Sequence, residues 1–138
     1  MKDSIIISLE KDLKRYEYGL SLINEFNKNI KLINTDFFEF IKENKTLFDL
    51  VFIDGAKARY IDYIKTIKDY LKNEAVVISD NIFLRNKIFL QNPKKNEERM
   101  IKKMNEFIDY IKSNDNFETI FLEIGDCVAI SIYKGKNN

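Results

Sequence analysis

Polar side chains follow two apolar runs of the sequence, where their oxygen atoms could act together. Asp54 comes after the run 50–53, and Asp80 with Asn81 comes after the run 76–79. If these runs are neighbouring strands, two carboxylates and one amide oxygen meet at one sheet edge and suit a hard octahedral cation such as Mg²⁺. Aspartate is also common as a cap between a strand and a helix, so the pattern alone leaves that alternative open.

Lys57 stands three residues after Asp54, at the start of a helical pattern. A nearby divalent cation and the positive end of a helix would both favour its neutral amine. A neutral amine here is a candidate general base for a hydroxyl group. The alternative is an ordinary solvated lysine, since the chain has 23 basic residues. Tyr60, Tyr63 and Tyr70 follow on the same helix, and core packing or partial exposure explains them.

Glu10 closes the first apolar run. In nucleotide-binding α/β domains an acidic residue in this place binds the ribose hydroxyls, about 20 residues after a glycine-rich phosphate loop. The sequence has 4 glycines and no Gly-x-Gly, and counting back from Glu10 passes the first residue. If Glu10 is a ribose ligand, the loop that normally precedes it is missing.

Composition excludes several classes of chemistry. The chain has no His and a single cysteine, Cys127. Ser-His-Asp and Cys-His catalysis, His-containing zinc sites and thiolate zinc clusters are therefore excluded, so any metal must have oxygen ligands. The net charge of +1 gives no general attraction to nucleic acid or anionic membranes. No apolar run approaches the roughly 20 residues of a membrane span, and we expect a cytoplasmic protein with no membrane partner.

Apolar runs alternate with helical patterns along the chain. The predicted strands are 5–9, 30–33, 47–53, 74–79, 117–123 and 127–133, and the predicted helices are 11–27, 37–44, 58–72 and 97–113. Residues 82–96 are predicted to form a loop with one helical turn, and Gly125-Asp126 is a hairpin signal. This order predicts one α/β domain over residues 1–138, with a mostly parallel sheet and an antiparallel edge. Ligands of such sheets bind beyond the carboxyl ends of the strands.

Two segments resemble the signatures of one enzyme family. Residues 48–60, FDLVFIDGAKARY, resemble the first signature of the cation-dependent O-methyltransferases, which include catechol and caffeoyl-CoA O-methyltransferases and bacterial relatives. Residues 77–83, VISDNIF, resemble the second signature. The two together, correctly spaced, are fairly specific. Residues 6–36 also fit the second and third strands of the family, and residues 124–126 match its hairpin turn.

The resemblance implies a Rossmann-like sheet, S-adenosylmethionine as methyl donor and a divalent metal, usually Mg²⁺. By position, Asp54, Asp80 and Asn81 would be the metal ligands. Lys57 would be the catalytic base. The implied cofactor-binding residues are Glu10 at the ribose, Asp36 and Phe37 at the adenine, and Asp54 and Gly55 near the same pocket. The implied reaction moves a methyl group from a sulfonium to a metal-bound hydroxyl, on a small phenolic or catechol-like acceptor or a hydroxylated tRNA uridine.

The sequence departs from the family in three places. The first strand, its glycine-rich turn and the preceding helices of the family would lie before Met1. Asn73-Glu74 replaces the usual Gly-Gly, and Leu84 replaces an aromatic residue that faces the acceptor in many relatives. A truncated or degenerate, non-catalytic member of the family is therefore an alternative. A phosphoacceptor receiver-like domain, with Asp54 as acceptor, is a lesser one, because no acidic pair follows the first strand.

The missing first strand has a structural consequence. In the family it lies between the strands predicted here at 5–9 and 47–53. Without it, those two strands must pair directly or a second molecule must fill the gap, because buried backbone groups need hydrogen-bond partners. The sequence therefore predicts a rearranged sheet or a strand-sharing homo-oligomer.

Overall fold

A computed structural model describes residues 4–26 and 29–135 of the chain. The chain divides into two compact units, Met1–Asn44 and Lys45–Asn138. Both units are α/β, and each contains one parallel strand pair. The second unit also ends in an antiparallel hairpin, as the sequence predicts. Within the described ranges, every helix is too short or too polar to cross a membrane.

The first unit is a parallel strand pair with two helices. Its elements are β1 (Ile6–Leu9), α1 (Leu13–Phe26), β2 (Ile30–Ile33) and α2 (Phe37–Glu43). β1 and β2 pair in parallel, in a two-stranded sheet. A parallel pair requires a crossover of a dozen or more residues, and α1 supplies it. The carboxyl ends of both strands therefore point the same way.

The second unit is a four-stranded sheet with two helices. Its main elements are β3 (Phe48–Ile53), α3 (Tyr60–Ile67), β4 (Leu71–Ser79), α4 (Lys95–Ser113), β5 (Phe117–Leu122) and β6 (Val128–Tyr133). The strand order is β3-β4-β6-β5, with β3 and β4 parallel and β6 antiparallel to both of its neighbours. Short 3-10 turns cover Lys57–Arg59, Lys68–Tyr70 and Lys87–Phe89. The β3–β4 pair again brings two carboxyl ends together.

One boundary differs from the sequence prediction. The spacing predicted a helix over 58–72 and a strand from residue 74, but the helical part ends at Tyr70 and β4 begins at Leu71. Leu71 pairs with Phe48, and Lys72 donates to both carboxylate oxygens of Asp49, at 2.8 and 2.9 Å. Pairing with a neighbouring strand overrides the local helical spacing here.

The helices of the second unit cover one face of its sheet. Their apolar side chains recur at helical spacing and are buried: Tyr60, Ile61, Ile64 and Ile67 on α3, and Met104, Phe107 and Ile111 on α4. They meet the inward face of the central strands, where Val77 and Ala129 are fully buried. The ring of Tyr60 packs edge-on against that of Phe107, with centroids 5.5 Å apart. This core fixes α3 relative to the strand ends.

The opposite face of the same sheet is apolar and exposed. Phe52 and Ile120 lie in one cross-strand row and are 58% and 56% exposed. β3 is an edge strand of this sheet. Direct pairing of β1 with β3 is not found among the described residues, since the two strands belong to separate sheets. The strand-sharing homo-oligomer stays a prediction.

Candidate functional site

The Lys57 amine lies at the centre of a hydrogen-bonded cluster in the second unit. Its Nζ donates to Tyr60 Oη (2.6 Å), Asp54 Oδ1 (2.9 Å), Asn81 Oδ1 (3.1 Å) and the Asp80 carbonyl (3.2 Å). An ammonium group has three hydrogens, so it shares them among four acceptors. The structure therefore brings the side chains of Asp54 and Asn81 together around the Lys57 amine, whereas Asp80 contributes its main-chain carbonyl and not its carboxylate.

The ends of β3 and β4 position these groups. The Asp80 amide donates to the Ile53 carbonyl at 3.1 Å, which continues the parallel ladder beyond the last strand residues. The 3-10 turn that begins at Lys57 brings its side chain back to Asp54, three residues earlier. Asn81 has φ 55°, a left-handed conformation that asparagine tolerates better than most residues. These two local conformations therefore direct the side chains of Lys57 and Asn81 towards the ends of β3 and β4.

Tyr60 supports the cluster from beneath. The side chain is fully buried, and its hydroxyl lies 3.0 Å from the Ile53 carbonyl and 2.9 Å from the Asp80 carbonyl. Burial, and then the negative charges of Asp54 and Asp80, raise the pKa of Tyr60 well above its ordinary value. The phenol therefore keeps its proton, donates to a strand-end carbonyl and accepts from Lys57.

Sequence reasoning explained Tyr60 by core packing or partial exposure. That is true of its ring, but the hydroxyl also has a polar role. Two features could have indicated this role of the hydroxyl. A buried tyrosine needs a partner for its hydroxyl, and Tyr60 lies three residues after Lys57, which places the two side chains on one side of a helical turn.

The capping alternative for the aspartates applies to a different residue. Asp54 makes no cap, because Ala56 precedes the 3-10 turn without a side-chain cap bond and the Asp54 carboxylate accepts from Lys57 instead. Asp80 accepts from the next amide, that of Asn81, at 2.7 Å. Asp36 is the true cap: its Oδ1 accepts from the Phe38 amide at 3.0 Å and begins α2.

Solvent reaches the Asp54 side of the cluster. The Asp54 side chain is 53% exposed, whereas that of Lys57 is 20% exposed. Gly55 lies between them, and a Cβ atom there would come within 2.8 Å of the Tyr63 ring. A larger residue at this position would have to displace the Tyr63 ring. The cluster is open to a ligand at its carboxylate and sheltered at its amine.

The remaining predicted site residues lie in the first unit. Glu10 follows β1, and its Oε1 accepts from the Asp12 amide at 2.8 Å while Arg15 lies 3.9 Å from Oε2. Phe37 is the first residue of α2, with its ring edge-on to Phe38 at 4.9 Å. Glu10 and Asp36 thus follow the carboxyl ends of β1 and β2, as their proposed ligand roles require.

Two of the three oxygen donors predicted as metal ligands, those of Asp54 and Asn81, converge in the second unit. Among the residues described, no three His, Cys, Asp or Glu side chains group closely enough to hold a metal ion. The predicted set has two carboxylates and an amide instead. The Asp54 and Asn81 oxygens both face one positive atom, the Lys57 Nζ. Oxygen ligands of this kind are those that Mg²⁺ and similar divalent cations prefer.

A family model described as O-methyltransferase matches residues 1–134. The chain therefore belongs to the O-methyltransferase family, which confirms the resemblance seen in its two signatures.

Solved structures of the family share the fold. A candidate caffeoyl-CoA O-methyltransferase from Staphylococcus aureus is 24% identical, with TM-score 0.86, over 96% of this chain and 66% of that one. The Bacillus cereus O-methyltransferase in complex with SAH is 17% identical, with TM-score 0.81, over 94% and 63%. TomG from Streptomyces achromogenes, involved in tomaymycin synthesis and in complex with SAM, is 15% identical, with TM-score 0.83, over 98% and 64%. The chain thus spans less than two thirds of each relative, and the predicted methyltransferase fold is confirmed.

Proposed function

We propose that this chain takes part in transfer of a methyl group from S-adenosylmethionine to the hydroxyl of a small phenolic or catechol-like acceptor. The observation that carries the proposal is the convergence of Lys57, Asp54 and Asn81 at the carboxyl ends of β3 and β4, in a member of the O-methyltransferase family. The Bacillus cereus and Streptomyces structures contain SAH and SAM, which supports the choice of cofactor.

The cofactor residues follow from the resemblance. Glu10 would bind the ribose hydroxyls, and Asp36 and Phe37 would line the adenine pocket, with Gly55 near it. Asp36 Oδ1 accepts a hydrogen bond from the Phe38 amide of α2, so its contribution to the adenine would be made from a fixed position. S-adenosylmethionine supplies an electrophilic methyl group on a sulfonium.

Asp54, Asp80 and Asn81 would hold a divalent cation, which supplies positive charge opposite the acceptor oxygen as that oxygen becomes negative. Asp54 is the ligand most open to solvent, at 53% exposure. Asp80 is fixed by its bond from the Asn81 amide, and Asn81 by its left-handed backbone. The three donors thus differ in freedom, and Asp54 is the one that can adjust.

Lys57 would accept the acceptor's proton. In the transfer, the oxygen–hydrogen bond of the acceptor breaks towards Nζ, an oxygen–carbon bond forms, and the methyl–sulfur bond breaks to release S-adenosylhomocysteine. A protonated amine cannot accept a proton, so Lys57 must first be neutral and release at least one of its four acceptors. Tyr60 then holds the amine within reach of Asp54.

The charge of α4 favours a small acceptor over tRNA. The basic residues in and beside this helix are Lys94, Lys95, Arg99, Lys102 and Lys103. Acids are interleaved with them: Lys103 pairs with Glu106 at 2.7 Å, and Glu97 pairs with Lys87 at 2.9 Å. Such a face is nearly balanced in charge, whereas a phosphate backbone is bound by an uncompensated basic surface.

Radiolabelled methyl transfer to a catechol panel, and separately to tRNA bearing a hydroxylated uridine, tests the proposal with added Mg²⁺. Lys57→Met is expected to lower the rate about 10²–10⁴-fold, the range of a lost general base. Lys72→Met removes an equal charge at an exposed pair and should keep the wild-type rate. Equal rates for Lys57→Met and wild type would contradict the role of Lys57. Bound cofactor without any transfer would favour the non-catalytic alternative.

A further inference from the structure

We infer that the Lys57 ammonium is an internal cation that competes with a divalent ion for the Asp54 and Asn81 oxygens, and that Tyr60 is the positioning residue that holds it there. The inference rests on the proposed function, in which these oxygens belong to a cation site. It adds a property of the metal-free protein: the oxygens are kept together by the chain's own positive charge.

The distances carry the first step. Nζ lies 2.9 Å from Asp54 Oδ1 and 3.1 Å from Asn81 Oδ1. These two oxygens come from different strand ends, 27 positions apart by residue number (81 − 54). Lone pairs directed at an ammonium are not at the same time available to a metal ion. Each oxygen has a second lone pair, but a divalent ion that used it would lie close to the ammonium, where like charges repel, so the ion binds both oxygens in competition with the amine.

Tyr60 carries the second step. Its hydroxyl accepts from Nζ at 2.6 Å, and Nζ also lies 4.8 Å from the centre of its ring. The ring is fully buried and packs against Phe107. A lysine side chain is long and loses rotamer entropy when it is fixed. The rigid tyrosine therefore offsets part of that cost and keeps the amine at the strand ends.

A second lysine of the same unit provides the contrast. Lys72 pairs with Asp49, but the two side chains are 49% and 79% exposed, and no further acceptor joins them within residues 4–26 and 29–135. Solvent screens such a pair, so its loss has little effect elsewhere. Lys57 is more sheltered and bonds to four oxygens. The two lysines thus form a matched pair of variants with equal change of charge.

The repulsion between an ammonium and a divalent ion at adjacent positions gives the expected sign. Removing the lysine charge removes a competitor and a repulsive neighbour, so the ion should bind more tightly. Binding linkage is reciprocal, so the ion should also weaken the hold on Lys57. A structural role of Lys57 alone would instead leave the affinity unchanged or reduce it.

Electron paramagnetic resonance of free Mn²⁺ measures this affinity in the full chain without a turnover assay. Mn²⁺ is titrated into wild type, Lys57→Met, Lys72→Met and Tyr60→Phe, with circular dichroism as a check on folding. We expect Lys57→Met to bind one Mn²⁺ about tenfold more tightly than wild type, and Lys72→Met to match wild type. Tyr60→Phe keeps the charge and loosens its hold, so a smaller change of the same sign is expected.

The outcomes separate the inference from the proposed function. Equal or weaker binding by Lys57→Met, with clear binding by wild type, overturns the inference and leaves the cation site standing. If neither wild type nor Lys57→Met binds Mn²⁺ at a concentration of about 1 mM, then both the inference and the proposed cation site are wrong. If Lys57→Met does not fold, an unchanged affinity in Tyr60→Phe overturns the inference by itself.

Discussion

The two units of the chain carry the candidate residues on very different supports. Among the described residues, every buried apolar side chain except Ile41 belongs to the second unit. The first unit exposes large apolar side chains on β1 and on α1, including Ile6, Leu13 and Tyr18. Asp54, Lys57 and their neighbours are therefore supported by a self-contained core, whereas Glu10 and Asp36 follow the strands of a two-stranded sheet that has few buried apolar side chains.

The polar contacts differ in the same direction. In the second unit, residues from two strand ends and a following turn share one network around Lys57. In the first, the carboxylates of Glu10 and Asp36 accept from amides two residues away along the chain, and the longer-range bond from Asn34 Nδ2 goes to the Glu10 main-chain carbonyl. Short-range bonds survive local rearrangement, whereas a network between strand ends requires the tertiary fold. Small sheets without a core open at low free energy. We therefore expect the first unit, which carries the proposed cofactor residues, to be more dynamic than the second.

Truncation of a core residue in each unit gives the largest expected difference. Phe107→Ala should lower the free energy of unfolding by about 3–5 kcal/mol, because Phe107 is 1% exposed and leaves a cavity. Leu20→Ala, at a position 36% exposed, should cost less than about 1 kcal/mol. Urea unfolding followed by circular dichroism measures both.

If Phe107→Ala does not fold, Ile64→Val serves instead, with an expected loss of about 0.5–1.5 kcal/mol. Ile64 is fully buried, so the change remains within the same core. Similar losses for Leu20→Ala and Phe107→Ala would contradict the difference between the two units.

Amide hydrogen exchange measures the difference in stability between the two units without a mutation. The amides of β4 and β6 pair on both sides within the sheet, whereas those of β1 and β2 belong to a two-stranded sheet. We expect β1 and β2 to exchange at least about 100-fold faster, a difference of about 3 kcal/mol in opening free energy. Equal protection of all four strands would contradict the difference in stability between the two units. Slower exchange of β1 and β2 on adding S-adenosylmethionine would show that ligand binding stabilises the weaker unit.

The pH dependence of stability tests the buried phenol. Tyr60 has a raised pKa in the folded chain because of burial, so above about pH 10 the unfolded chain loses a proton that the folded chain keeps. The contribution of Tyr60 is therefore complete below pH 10, and stability should fall by about 1.4 kcal/mol per pH unit above it. Tyr60→Phe should lack this part of the slope. Identical slopes in urea unfolding at pH 9 to 11 would contradict the burial of the hydroxyl.

Thiol labelling offers the least perturbing test. Cys127 is fully buried, and burial raises the pKa of its thiol, so it should react slowly with a disulfide reagent. Ser21 lies on the exposed side of α1, and Ser21→Cys should add a fast-reacting thiol and change stability by less than about 0.5 kcal/mol. Two phases are expected, one fast and one limited by opening of the second unit. A single fast phase for both thiols would contradict the buried core.

The sequence predicted the element order and the position of Asp54 and Asp80 after two strands, because both depend on apolar runs that are visible locally. Apolar runs identified β3 and β4, and the position of Asp54 and Asp80 at their ends follows from parallel pairing. The start of β4 at Leu71 was not predicted, since its pairing with Phe48 is a long-range contact. The Tyr60 hydroxyl bonds were missed for a similar reason: their carbonyl partners are invisible in side-chain patterns.

The division into two sheets could be predicted only in part. The resemblance implied a family strand between β1 and β3, and the sequence analysis predicted a rearranged sheet, with direct pairing of the two, or a strand-sharing homo-oligomer. The structure instead leaves β3 as an edge strand with Phe52 exposed on its apolar face. Edge pairing depends on the whole surface of a strand, which a one-dimensional pattern does not contain. Light scattering of wild type against Phe52→Lys would test the homo-oligomer, which should dissociate in the variant.

Calorimetric titration of the full chain with S-adenosylmethionine tests the central claim, that this is a cofactor-binding methyltransferase chain, most directly. We expect one site with a dissociation constant of about 1–100 μM. We also expect a loss of affinity in Glu10→Ala, which removes the proposed ribose ligand from the first unit. Absence of binding at about 1 mM cofactor, with the chain folded, would contradict the account.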